Sequence, residues 1–144
     1  MLHLSEASQI LDGALRHARS ESMPPMTIAV LDARGCLVAF KSEDGSSLLR
    51  ESISKAKAWG ALGMGMGTRA LAGRAAHHPA FFAALSSLSE GHVVPVPGGV
   101  LIRSSADAAI IGAVGVSGDL PDKDEACAVA GIAGAGLAAD AGAA

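Results

Sequence analysis

Few residues in this chain can do chemistry, and they are scattered. The five histidines are His3, His17, His77, His78 and His92. No two are spaced four apart, so no pair sits on one helix face as a zinc site would need, and no metal centre is expected. His17 follows Ala14 by three positions, at the edge of an apolar helical face. Such an imidazole is either a half-buried structural group or an axial ligand for haem iron. His92 and Asp44 lie in polar stretches that read as loops, where they are candidates for moving a proton. Lys57, within Lys55-Ala-Lys57-Ala-Trp59, interrupts a helix that otherwise looks packed. It either snorkels to solvent or reaches an anion at the sheet edge. Pro97-Gly98-Gly99 offers backbone N–H groups unobstructed by side chains, for an oxyanion or simply for a tight turn into a strand.

Two other patterns read as structure. Asp32-Ala-Arg-Gly35 between apolar runs supplies what a turn requires. Gly112-Ala-Val-Gly-Val-Ser-Gly118 is not the G-x-G-x-x-G of a dinucleotide site, and its glycines suit close packing of strand against helix. Cys36 and Cys127 have no C-x-x-C spacing and are expected as free thiols.

The elements that must position these groups follow from periodicity. Leu4, Ala7, Ile10, Leu11, Ala14, Leu15 and Ala18 recur at helical spacing, with Ser5 as the expected cap, and Met23-Pro24-Pro25 ends that helix. Residues 26–32 and 36–41 read as two strands of a hairpin. A helix is expected from about Leu48 to Gly63, with Ile53, Ala56, Ala58 and Ala61 facing the core, then one or two short helices around Pro79. Strands follow at 100–103 and 109–117. Asp122-Lys-Asp-Glu125 reads as a capping box opening a last helix, and the tail from Ala138 to Ala144 as frayed. Strand pairs bracketing helices predict an α+β domain. Its antiparallel sheet has about five strands with helices packed on its faces, in α/β/α-like layers.

The 144 residues suit one domain spanning 1–144. Half are hydrophobic and 17% charged, which describes a globular chain, and the net charge of -3 provides no footprint for nucleic acid. No apolar run reaches membrane-spanning length, and Met1 to Glu6 has neither a basic nor an apolar leader segment. The expected setting is cytoplasmic, without nucleic-acid or membrane partners. Gly131, Gly134 and Gly136 in an alanine-rich helix suggest a surface for close contact with a second copy.

Asp32-x-x-Gly35-x-Leu-Val, Asp44-Gly45, Lys57-Ala58, Pro97-Gly98-Gly99, and Gly112 to Gly118 followed by Asp124-Glu125-x-Cys127-Ala occur in the order found in one family. Over residues 4–137 the chain resembles the GlcG/HbpS-like family, which includes haem-binding sensors and the C-terminal domain of PduO-type corrinoid adenosyltransferases. The resemblance implies a layered fold with an antiparallel sheet, dimers that build larger assemblies, and haem as the cofactor of some members. Ser42 stands where the family often has arginine. The leading expectation is an oligomeric protein that binds a small anionic molecule or haem. The first alternative is an isomerase or lyase of a small carboxylate, held by Lys57 and the Pro97-Gly98-Gly99 amides, with His92 or Asp44 moving the proton. The second is an accessory assembly protein.

Overall fold

The computed structural model describes residues 1–143. Its elements run α1 (Leu4–Ser20), β1 (Thr27–Asp32), β2 (Leu37–Ser42), α2 (Arg50–Met64), α3 (Thr68–His77), α4 (Pro79–Leu88), β3 (Gly99–Arg103), β4 (Ile110–Ser117), α5 (Pro121–Gly134) and β5 (Ala138–Asp140). The strands form one sheet in the order β2-β1-β4-β3-β5, and every neighbouring pair is antiparallel.

Alternation along the strands sends side chains to two faces. Ile28, Val30, Val100, Ile102, Val114 and Val116 point to one face, where they meet Ile10, Leu11 and Ala14 of α1 and Cys127 and Ile132 of α5. Leu31, Leu101 and Ala113 point to the other, against Ala58 and Ala61 of α2. Helices therefore cover both sides, and the α/β/α layering expected from the sequence is present.

On the second face Gly99 and Gly115 leave room for α2 to lie almost on the sheet backbone. A Cβ at Gly115 would overlap the Ser54 carbonyl, and one at Gly99 the Lys57 carbonyl. The glycine-rich β4 segment thus serves close helix packing, as its pattern suggested.

Four local expectations are corrected. Helix α1 starts at Leu4 rather than after Ser5: His3 is the N-cap, and its N–H donates to the Glu6 carboxylate at 2.9 Å. Helix α5 starts at Pro121 with Leu120 as N-cap, because proline needs no N–H partner in a first turn; Asp122 instead pairs with Arg69. The tail is not frayed over 138–140, where β5 pairs with β3 and Asp140 binds Arg103 at 2.9 Å. Ala144 lies outside the described residues. Gly131 is not a free surface residue: a Cβ there would overlap the Ile10 carbonyl, so its bareness lets α1 and α5 approach each other. Gly134 and Gly136 remain exposed.

Candidate functional site

A groove of about 290 Å³ opens where the β1–β2 turn, α2 and the segment leading to β3 converge. Leu31, Gly35 and Leu37 form one wall; Lys55 and Trp59 rise from α2, and His92 closes the other side. Each wall has a local cause. Asp32 fixes the turn, its Oδ1 accepting the N–H groups of Arg34 and Cys36 at 2.9 and 3.1 Å. Gly35 adopts φ 83°, and a Cβ there would stand 3.2 Å from the indole, so the turn lies flat against Trp59. Gly60 similarly lets Val93 approach α2, a Cβ there standing 3.3 Å from the Val93 Cα. This brings His92 beside Trp59, with ring centroids 5.6 Å apart.

His92 is exposed, and its Nδ1 lies 2.6 Å from the Ser89 carbonyl oxygen. A carbonyl only accepts, so in the neutral ring Nδ1 carries the proton and Nε2 keeps a bare lone pair. The imidazole is oriented as metal-ligating histidines are, by a backbone carbonyl on the other nitrogen. Lys55 lies at the groove's edge, its Nζ 3.1 Å from Glu51 and 5.4 Å from the Phe40 ring centre.

Lys57 points inward instead. It is 3% exposed, and its Nζ donates to Asp124 Oδ2 at 2.9 Å and to the Val116 carbonyl at 3.0 Å. Asp124, 1% exposed, also accepts the Asp119 N–H at 2.8 Å. Burial pushes the Lys57 pKa down and that of Asp124 up, and each charge opposes the shift of the other. Gly98 does meet Lys57: with φ 128°, a Cβ there would come within 2.7 Å of Nζ. The Gly99 N–H, however, donates to Thr68 Oγ1 at 2.8 Å. Lysine and glycine pair converge, and both the ammonium and the Gly99 amide already have partners within the chain.

The other candidates stand apart. His17 is half-buried in the last turn of α1, where its carbonyl accepts from Ser20 Oγ at 2.8 Å. Asp44 is exposed and lines a separate shallow groove with Leu15 and Lys41, a groove that His92 does not line. His77 and His78 are exposed at the α3–α4 junction, and Pro97 is half-buried before β3. Both cysteines are free; Cys36 is exposed, and burial pushes the Cys127 thiol up to about 12. Among the described residues no cluster of histidine, cysteine and carboxylate groups is arranged for a metal ion, and no helix is long and apolar enough to cross a membrane.

The family described as haem degrading protein HbpS-like matches residues 2–133. This chain is a member of the HbpS-like family. Among solved structures it is similar to a PduOC:heme complex, with 25% identity and a TM-score of 0.85 over 94% of this chain and 96% of that one. It is also similar to an HbpS double mutant from Streptomyces reticuli, with 26% identity and a TM-score of 0.79 over 92% and 85% of the two chains. Klebsiella pneumoniae protein ORFY, at 23% identity and a TM-score of 0.82 over 94% and 90%, shares the fold. No curated protein matches the chain. Sequence reasoning singled out two of the residues that matter most to the geometry of this HbpS-like chain, His92 and Lys57. It missed their partners, Trp59 and Asp124, although Trp59 is the only tryptophan present.

Proposed function

We propose that this protein binds haem in the groove between Trp59 and His92, with His92 Nε2 as the ligand to iron. The observation that carries this reading is the contact of His92 Nδ1 with the Ser89 carbonyl, which leaves Nε2 free and aimed by a fixed ring. Leu31, Leu37 and the Trp59 face supply an apolar bed for a flat macrocycle, and Lys55 is placed to neutralise a propionate. The HbpS-like membership and the likeness to a haem complex support the same cofactor. Haem, when bound, supplies an iron centre whose reactivity is tuned by its axial ligand and by the polarity around it.

The groove is open and holds less than a whole macrocycle, so part of a bound haem remains outside this chain. A second copy covering that remainder would make a dimer, and an oligomer built on such dimers is part of this reading. Two unpaired thiols suit a reducing compartment such as the cytoplasm.

Hemin titration followed in the Soret region tests the assignment. Wild type is expected to saturate with a shifted Soret band. His92→Ala should lose the shift and at least tenfold in affinity, while His17→Ala changes neither. If His17→Ala abolishes the shift and His92→Ala leaves it intact, the ligand lies on α1 and this groove is the wrong site. Light scattering with and without hemin reads the assembly; a monomer at micromolar concentration in both would end the dimer reading.

A further inference from the structure

A second and larger groove borders the Asp32–Gly35 turn. Its volume is about 710 Å³, against about 290 Å³ for the groove of His92. Such a volume is in the range that ligand sites occupy, roughly 300–1,000 Å³. Leu2, Ala33, Ala109, Ile110 and Ile111 make it aliphatic. Two charged side chains join them at the rim, Asp32 and Arg34.

These two charges are not equally available. The Asp32 carboxylate is spent: Oδ1 accepts two backbone N–H groups, and Oδ2 accepts from Arg34 Nη2 at 3.0 Å. Partial burial would raise its pKa, but the hydrogen bonds of Arg34 and Cys36 outweigh that and hold it below the usual value, so it stays ionised. Arg34 is spent only in part. One Nη2 hydrogen bond goes to Asp32, its side chain is 80% exposed, and Nε and Nη1 have no acceptor among the described residues. The free Nε–H and Nη1–H groups lie on different edges of the guanidinium, and either can give a carboxylate one charge-assisted hydrogen bond. Lys57, in contrast, has its charge compensated in the core.

We propose that this groove binds an amphipathic monocarboxylate, with an aliphatic body against Leu2, Ile110 and Ile111 and its carboxylate on Arg34. Haem is a poor fit here, because the lining residues include neither imidazole nor thiolate. The proposal stands independently of the haem reading. Both grooves border one turn: Gly35 lines the His92 groove and lies against Trp59, while Ala33 and Arg34 line the larger one and also, with Gly35 and Trp59, a smaller groove between.

That arrangement supplies a reporter, since Trp59 is the only tryptophan and touches the turn. The probes are octanoate and, as an uncharged control, octanol, titrated by tryptophan fluorescence and calorimetry. Wild type is expected to saturate with octanoate at one site. Arg34→Met should weaken octanoate several-fold, as the loss of an exposed, solvent-screened charge contact implies, and leave octanol unchanged. Arg34→Lys should recover part of the loss. Ala109→Phe, at an exposed position, should remove binding of both probes with an unchanged thermal melt. Three results would each overturn the proposal: no saturable octanoate binding to wild type, equal octanoate affinity in Arg34→Met, or octanoate binding that is lost in His92→Ala and displaced by hemin.

Discussion

Lys57 and Trp59 stand two residues apart on α2 and meet opposite surroundings. Lys57 turns under the helix to Asp124 and the Val116 carbonyl, in a setting nearly free of solvent. Trp59 turns out over the β1–β2 turn, 39% exposed, and shares an open groove with His92. The lysine carries the stronger charge, yet its hydrogen-bonding capacity is met within the chain. The His92 ring has one partner on Nδ1, the Ser89 carbonyl, and none on Nε2 among the described residues. What separates these two polar groups is therefore whether the fold supplies the complement of each. The thiols repeat the contrast, with Cys127 sealed between α5 and the sheet and Cys36 exposed in the turn.

The comparison breaks most decisively at Asp124. Asp124→Ala leaves an unpaired ammonium in the core and is expected to cost about 3–5 kcal/mol in urea denaturation. A double change, Lys57→Met with Asp124→Leu, should recover much of that loss, because buried pairs are often replaceable by apolar residues. A loss below about 1 kcal/mol for Asp124→Ala would show that the pair is solvated after all.

Gly98→Ala should cost about 1–3 kcal/mol, since its φ of 128° disfavours a side chain and the new methyl would press on Lys57 Nζ and the Val116 carbonyl. Chemical denaturation reads this loss, and a neutral result would mean that the lysine head is free to move.

Trp59→Ala inverts the pattern. Stability should fall by about 1–2 kcal/mol, the cost of a half-exposed aromatic, while hemin affinity falls at least tenfold. Equal hemin binding in this variant would detach haem from the groove.

At neutral pH the effect at Cys127 is silent, and it emerges only in alkali. Its folded-state pKa is raised from 9.0 to about 12, so its contribution to stability is intact below pH 9 and is lost as pH rises through 12. Unfolding free energies measured across that window should decline, and Cys127→Ala should flatten the decline. Below pH 9, a thiol reagent should modify Cys36 in the native protein and Cys127 only after denaturation.

Much of the fold was legible because it depends on local pattern. The apolar spacing of α1, the turn at Asp32 and Gly35, and the glycines of β4 each state their role within a few residues. β5 was not legible. Ala138, Ala139 and Asp140 carry no β-branched or aromatic residue, and the strand exists because β3 offers an edge and Arg103 holds Asp140. The starts of α1 and α5 were misplaced because Ser5 and Asp122 resemble caps, while the actual boundaries rest on His3 and on Pro121. Of the site, the candidate groups were visible but their partners were not. Asp124 reaches Lys57 and Trp59 reaches His92 only through contacts between segments distant in sequence.

The sheet order has a kinetic consequence. β1 and β2 form a local hairpin, yet the other edge of β1 is satisfied only by β4, where Thr27 pairs with Ser117 and Asp32 with Gly112. Closing so long a loop must precede most of the burial that rewards it. Folding is then expected to be limited by the meeting of these two distant strands, on the order of milliseconds to seconds, with the hairpin formed early and waiting for its neighbour.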